Sequence, residues 1–490
     1  MCSSEDIYRD LQQQLLDADT ICRIELEVIT PLLIGGYDAR RYHNDLGYES
    51  LRESSIKGVW RWWARALIAA ALKEDYNICT DLTCLDKLVS KILGGSGSNE
   101  GQSKYSILVE PLNSAKVCEG IEICDRTYGE VPRIKLLRRF YDKAIAEGTR
   151  FTVAILRNRK TTHTEDKFAV WSLIIALLFD GIGKATSRGF GKFRILNVDK
   201  LEKPNNIISR LYSSTSPEHV RDCLKEIIRE GVSHAKEVLR SLESFDRYVG
   251  KYLEGVSKDN PIVEIALVDK LMIIHVPRRE FRNVKDILVT LGHATLKSYW
   301  KALDVRRQGL SFGKALREAR NIAGKNYHTW ILGLPRSQEP LILSDSRRED
   351  SVKRELQNAI NKIKNSIQAD DMKVRELIDL VRVEVERNKV RIPTGYYFLG
   401  DSKRDLKLRR KSPIRFTIIP VGKGKYYVAI FAFKTYEWNE ILRQLVHVGA
   451  HVHRCSFEVA PIASSIKIDE VLKDAIERIS KIIEIDRPMR

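Results

Sequence analysis

Between Arg23 and Val28 apolar and charged residues alternate, with Ile24, Leu26 and Val28 set against Arg23, Glu25 and Glu27. That is the period of a strand with one buried face. TPLLIGG, Thr30 to Gly36, ends it with a proline and paired glycines. Helical spacing then runs from about Ser55 to Lys73, followed by a glycine- and serine-rich loop, Gly94 to Ser103, whose composition cannot bury a core. KYSILVEP (Lys104 to Pro111) resumes as a strand, and GTRFTVAIL (Gly148 to Leu156) turns Phe151, Val153 and Ile155 inward. The apolar stretch near Asp166 to Phe179 predicts a buried helix, and GKFRILNV (Gly191 to Val198) a fourth strand. The order βαββαβ is the split, ferredoxin-like arrangement: a four-stranded antiparallel sheet carries two helices on one face and leaves the other face for a ligand.

Residues 201–260 carry helical spacing and many charges, broken at SSTSP (Ser213 to Pro217), and read as a connecting helical segment. Beyond it the pattern repeats. IVEIALVDKLMIIHV (262–276) is strand-rich, VKDILVTLGHATLKSYWKAL (284–303) is helical, and SPIRFTIIPVGKGKYYVAIFAFK (412–434) is a hairpin turning at Gly422 to Gly424. A helix near Glu437 to Val446 and the strand RCSFEVAPI (454–462) complete the set, with a charged helical insertion over roughly 348–388. The fold class expected is α+β: two ferredoxin-like (βαββαβ, RRM-like) domains over 21–200 and 261–490 with helical insertions, preceded by an N-terminal helical segment over 1–20.

With 490 residues the chain has room for two or three domains. Its 83 Lys and Arg against 65 Asp and Glu leave +18, a bias suited to nucleic acid or an acidic membrane surface, with solubility alone as the bland alternative. The longest apolar run, Phe168 to Phe179, falls short of the ~20 residues a membrane span needs. Residues 1–20 are acidic and polar, without the order of a secretory signal. A cytoplasmic setting is expected, and the 8 cysteines are expected to be thiols rather than a disulfide framework. Few Met and Gln beside abundant Ile, Lys and Arg point toward a thermophile.

The stretch ESSIKGVWRWWAR, Glu53 to Arg65, sets three tryptophans beside Lys57, Arg61 and Arg65. On a helical wheel Ile56, Val59, Trp60, Trp63 and Leu67 share one face and the three cations another. Trp60 and Trp63 are expected as core anchors; Trp62 projects near Gly58, as packing or as a stacking plate. Like charges four residues apart repel, so the cationic stripe is better tolerated with phosphate against it. Ser54 or Ser55 is placed as the N-cap, leaving free amides at SIKG. A solvated surface stripe is the alternative.

A second segment, GIGKATSRGFGKF (Gly181 to Phe193), has four glycines. Glycines let backbone amides approach an anion, and Lys184, Arg188 and Lys192 add charge; a strained helix-to-strand turn is the alternative. Neither GxxxxGK[ST] nor GxGxxG after a strand is present, so no nucleotide-hydrolysing or dinucleotide site is expected. A third basic region, Asp401 to Arg415, holds Lys403, Arg404, Lys407, Arg409, Arg410, Lys411 and Arg415 against Asp401 and Asp405.

Together TPLLIGG, SIKGVWRWWAR, SRGFG (Ser187 to Gly191), LGLPR (Leu332 to Arg336) and RRKSPIRF (Arg409 to Phe416) resemble the RAMP superfamily of CRISPR RNA-binding proteins, in its Cmr (type III-B) effector-complex branch. The resemblance implies two ferredoxin-like domains and a noncatalytic role near the 3′ end of the guide RNA, helping to capture complementary target RNA. The partners it implies are guide CRISPR RNA, target RNA and other Cmr subunits, with no membrane, and no cofactor or metal is expected. The RNA-contacting candidates are Gly35, Gly36, Ser55, Lys57, Gly58, Arg61, Arg65, Lys184, Ser187, Arg188, Gly189, Phe190, Gly191, Arg409, Arg410, Lys411 and Arg415.

Cys79 and Cys84, then Cys118 and Cys124, have C-x4-C and C-x5-C spacings but no C-x2-C knuckle for zinc. His447 and His451 lie four apart with His453 beyond, yet no HExxH glutamate accompanies them, and the strand-like context favours structural histidines. The rival function is a metal-independent endoribonuclease, for which His43, among Arg40, Arg41 and Tyr42, is the candidate base. A purely protein-contacting subunit is the third reading.

Overall fold

A computed structural model describes residues 19–34, 51–76, 82–95, 103–113, 117–119, 131–132, 143–242, 272–306, 310–319, 328–333, 336–337, 341–343, 349–367, 371–381, 383–387, 389–392, 395–399, 412–422, 424–433, 442–451, 456–462 and 466–485. The first half holds β1 (Thr20–Val28), α1 (Glu53–Tyr76), α2 (Leu82–Leu93), β2 (Tyr105–Pro111), β3 (Val117–Glu119), β4 (Lys143–Ile145), β5 (Arg150–Arg157), α3 (His163–Ile175), β6 (Phe193–Val198), α4 (Glu202–Tyr212) and α5 (Pro217–Ser241).

The alternation in β1 becomes a central strand. β5 and β6 flank it and β2 lies outside β5, giving the order β2-β5-β1-β6 with every neighbour antiparallel. That is the ferredoxin-like order. Register places Ile24 beside Val153 and Leu26 beside Phe151, all buried on one face. The opposite face carries Arg23, Glu25, Glu27, Glu110, Arg150 and Arg194, with Arg150 paired to Glu27 at 2.9 Å. Among the described strand positions this face mixes both charge signs and presents no aromatic ring.

α1 buries Ile56, Trp60, Trp63 and Leu67 as the wheel predicts. α2, which the sequence reading passed over, buries Leu85, Leu88, Val89 and Ile92 at helical spacing. α3 starts earlier than expected, because Thr162 and Glu165 form a reciprocal capping box. It ends in one π-helical turn, Ala176–Asp180. The connecting segment is α4 and α5, the latter capped by Ser216 with Pro217 in its first turn. α5 packs tightly: a Cβ on Gly231 would come 2.3 Å from Ile175 Cδ1 and 3.1 Å from Leu67 Cδ2.

The second half holds β7 (Met272–His275), α6 (Val284–Ala294), α7 (Lys297–Arg306), α8 (Phe312–Ala319), β8 (Arg336–Ser337), β9 (Leu341–Leu343), α9 (Glu349–Ile367), α10 (Asp371–Leu380), β10 (Glu384–Glu386), β11 (Lys389–Ile392), β12 (Gly395–Phe398), β13 (Ile414–Val421), β14 (Lys425–Phe433), β15 (Leu445–His451), β16 (Ser456–Pro461) and α11 (Ile468–Glu484). The chain divides into two units. One gathers the described residues of Met1–His293, Arg415–Thr435 and Ile483–Pro488; the other gathers those of Ala294–Ile414 and Tyr436–Ile482. The described residues of 261–490 contribute to both units.

In the first unit β13 and β14 form the predicted hairpin and β14 pairs with β7, giving β13-β14-β7. This repeats the β2-β5-β1 part of the first sheet, so the duplication is one of topology. In the second unit β16-β15-β12-β8 form a sheet covered by α9 and α10 through Leu356, Ile360, Ile363, Leu377, Val446 and Val448. The helix expected to reach Val446 gives way to β15 from Leu445, because Val446 and Val448 alternate into that core at strand period. His447 is buried in β15 with its ring 4.8 Å from that of Tyr396. No helix among the described residues is long and apolar enough to cross a membrane.

Candidate nucleic-acid interface

The described part of TPLLIGG, residues 30–34, and the glycine-rich segment from Gly181 to Phe193 are halves of one structure. Beyond β1 the chain continues beside the glycine-rich segment: Lys192 O accepts from Ile29 N (2.8 Å), Thr30 Oγ1 from Lys192 N (2.9 Å), Pro31 O from Gly191 N (3.1 Å) and Leu33 O from Lys184 N (2.8 Å). Such close approach needs bare α-carbons. A Cβ on Gly191 would lie 1.9 Å from Ile182 O, on Gly181 2.2 Å from Gly191 O, and on Gly183 2.5 Å from Leu33 O, and all three have positive φ. Gly189 faces α6, where a Cβ would come 2.8 Å from Leu291 Cδ1 and 3.1 Å from Leu288 Cδ2, with Ile418 Cδ1 of β13 at 3.7 Å.

What this scaffold presents is a short turn. Ala185 takes a left-handed conformation, Thr186–Arg188 form one 3-10 turn, and Lys184, Ser187 and Arg188 are half-exposed. Gly189, Phe190 and Gly191 are buried, and Phe190 is 1% exposed. Their expected place in an open cradle is corrected: Phe190 is core, and the glycines serve chain-to-chain packing, which is the turn alternative of the sequence reading.

Behind the turn lies a buried ionic cluster. The last carbonyls of a helix lack intrahelical donors, and here side chains supply them. Thr417 Oγ1 donates to Leu178 O (2.6 Å), and Lys192 Nζ donates to Phe179 O (3.2 Å) and Asp180 O (2.6 Å). Arg415 Nη1 donates to the Asp180 carboxylate, and its guanidinium lies 4.2 Å from the ring centre of Trp62 and 5.3 Å from that of Phe433. Burial pushes the Lys192 ammonium pKa down to about 7, with Arg415 adding to the fall and Asp180 opposing it. Lys192 and Arg415, expected as open cations, are 1% and 5% exposed. Trp62 thus stacks, but on an arginine of its own chain.

Two cations of the α1 stripe contact the neighbouring helix or the residue after it. Arg61 donates to Gly94 O (2.6 Å) and Ser90 Oγ (3.0 Å), and Arg65 pairs with Asp86 of α2 (2.6 Å). Lys57 is half-exposed, as Lys184 and Arg188 are, and Gly58 is open, with nothing within 4 Å of an added Cβ. So Arg61 and Arg65 of this stripe are engaged by α2 and the residue that follows it. The N-cap expectation at Ser54 or Ser55 is corrected as well: α1 starts at Glu53, and Arg52 O accepts from the amides of Ser55 and Ile56. Gly35, Gly36, His43, Cys79, Cys124, Arg409, Arg410 and Lys411 lie outside the described residues.

Sequence reasoning missed Asp180, Thr417 and the buried role of Arg415. A signal was present in each case. Asp180 closes an unbroken apolar run, and Arg415 and Thr417 interrupt the apolar sequence of a strand buried at every position. Charges inside such runs need partners.

Residues 25–194 match the model of the RAMP superfamily. Among curated proteins, the chain is 23% identical to the CRISPR system CMR subunit Cmr1 of Saccharolobus solfataricus, covering 37% of this chain and 55% of that one. It is 26% identical to the CRISPR system Cmr subunit Cmr1-1 of Pyrococcus furiosus, covering 37% and 50%. The chain thus spans about half the length of the curated relatives it matches. Among solved structures, a chain of the type III-B Cmr-beta complex bound to cognate target RNA shares the fold, with a TM-score of 0.51 at 13% identity over 95% of this chain and 100% of that one. The matched stretch holds both glycine motifs and the whole of β2 and β5, so over residues 25–194 the chain is similar to the RAMP superfamily, and it is similar in sequence to the two Cmr1 proteins.

Proposed function

We propose that this chain is a noncatalytic RNA-binding subunit of a type III-B Cmr effector complex, engaging guide RNA near its 3′ end and helping to capture complementary target RNA. One observation carries the reading: Lys184, Ser187 and Arg188 stand half-exposed together on a turn whose backbone is fixed by glycine contacts. Two cations and a hydroxyl on a rigid turn suit a sugar–phosphate chain, and a net charge of +18 attracts polyanions whatever their sequence. Specificity then comes from pairing between guide and target. The relatives named as Cmr1 support membership of such a complex.

The test is binding of unrelated single-stranded RNAs across a salt series. Replacing Lys184 and Arg188 with Ala weakens all of them alike and flattens the salt slope by about 1.4, at ~0.7 for each lost phosphate contact on single strands. Unchanged affinity rejects the assignment. The nuclease rival is tested by incubating the protein with labelled repeat RNA in chelator, where no products are expected; products that vanish in His43→Ala would make the protein an enzyme.

A further inference from the structure

The buried cluster behind the turn has a geometry that mere core filling does not require. Asp180 immediately precedes Gly181 and Lys192 immediately follows Gly191, so the two ends of the glycine segment are fixed at one point. Lys192 reaches back to the carbonyls of Phe179 and Asp180, where a cation also suits the helix dipole. Asp180 in turn depends on Arg415 for its charge partner, both being nearly inaccessible to water. Arg415 comes from β13, and its guanidinium lies over the rings of Trp62 and Phe433. From the same strand Thr417 bonds Leu178 O, and Ile418 meets the α-carbon side of Gly189.

We propose that Arg415 is a positioning residue for the Lys184–Arg188 turn: acting through Asp180, it sets where the glycine segment leaves α3 and where Lys192 returns it to β6. The hairpin of the second sheet thereby controls the shape of the turn. The part of this inference that concerns RNA rests on the proposed function; the part that concerns the turn's shape does not.

Hydrogen exchange on the full chain tests it. In Arg415→Gln the amides of residues 183–190 exchange at least about 10-fold faster while those of β1 and β5 keep their protection. Affinity for a labelled oligo(U) RNA falls, and Arg415→Lys restores part of both. Unchanged exchange in a folded Arg415→Gln protein overturns the proposal. Where that variant fails to fold, Thr417→Val removes a single donor from the same cluster and must show the same turn-selective acceleration. The two readings fail separately. RNA affinity that survives Lys184→Ala and Arg188→Ala, beside faster turn exchange in Arg415→Gln, rejects the RNA reading and upholds the positioning role. RNA affinity lost in the former pair, beside unchanged exchange in the latter variant, does the reverse.

Discussion

Lys192 is a charge-bearing side chain placed where water does not reach, and its surroundings make its proton negotiable near neutrality. Its pKa falls from an ordinary 10.5 to about 7, and the charged groups around it are Asp180 and Arg415. Between these two values the unfolded chain holds a proton that the folded chain has released, so this group makes stability rise with pH there, by at most ~1.4 kcal/mol per pH unit. Below pH 7 both states are protonated and its contribution is flat. Thermal unfolding of Lys192→Met followed across pH 7 to 10 is expected to lose that rise relative to the native chain. Glycines offer a second residue-level contrast. Gly191 and Gly422 both have positive φ, but an added Cβ at Gly191 would meet Ile182 O at 1.9 Å, whereas at Gly422 nothing lies within 4 Å. Gly422→Ala should cost only ~1–2 kcal/mol, the left-handed penalty, and Gly191→Ala clearly more, as read from unfolding midpoints.

α1 illustrates what a helical wheel can and cannot tell. The apolar stripe that it draws is the one buried: Trp63 is fully buried against Phe179, Phe431 and Phe433, with ring centres 5.5, 6.4 and 5.6 Å away. Trp63→Ala is expected to destabilise by ~3–5 kcal/mol in denaturant titrations. The cationic stripe was also drawn correctly, yet the wheel is silent on what lies opposite. α2 fills that side with Ser90, the Gly94 carbonyl and Asp86, and turns two candidate phosphate ligands into helix–helix contacts. The Arg65–Asp86 pair is partly exposed, so Arg65→Ala should cost at most about 1 kcal/mol and leave RNA affinity untouched. An affinity loss as large as that of Arg188→Ala would return Arg65 to the interface. The same limit applies elsewhere. Period-2 and period-3.6 patterns made the first sheet and its helices legible, because one face of each is buried. The π turn after α3, the fate of Arg415 and the division of the second half were not, since they depend on partners far along the chain.

Across the whole molecule the basic excess is distributed unevenly in its use. Some cations close helix ends and ionic pairs, and Lys184 and Arg188 are half-exposed on the glycine turn. The first unit also draws on distant sequence, because β13 and β14 supply Arg415, Phe431 and Phe433 to the aromatic and ionic contacts of α1 and α3. A chain ending at residue 293 lacks those partners. Size-exclusion chromatography of that truncation is expected to show aggregates, and a stable monomer would mean that the first half buries its tryptophans unaided. There is a consequence for biogenesis. On a ribosome adding ~5–20 residues per second, the tryptophan helix emerges roughly 20–70 s before the hairpin that covers it. A nascent chain must carry sticky aromatic surface for that whole interval, which makes it a natural client for holdase chaperones.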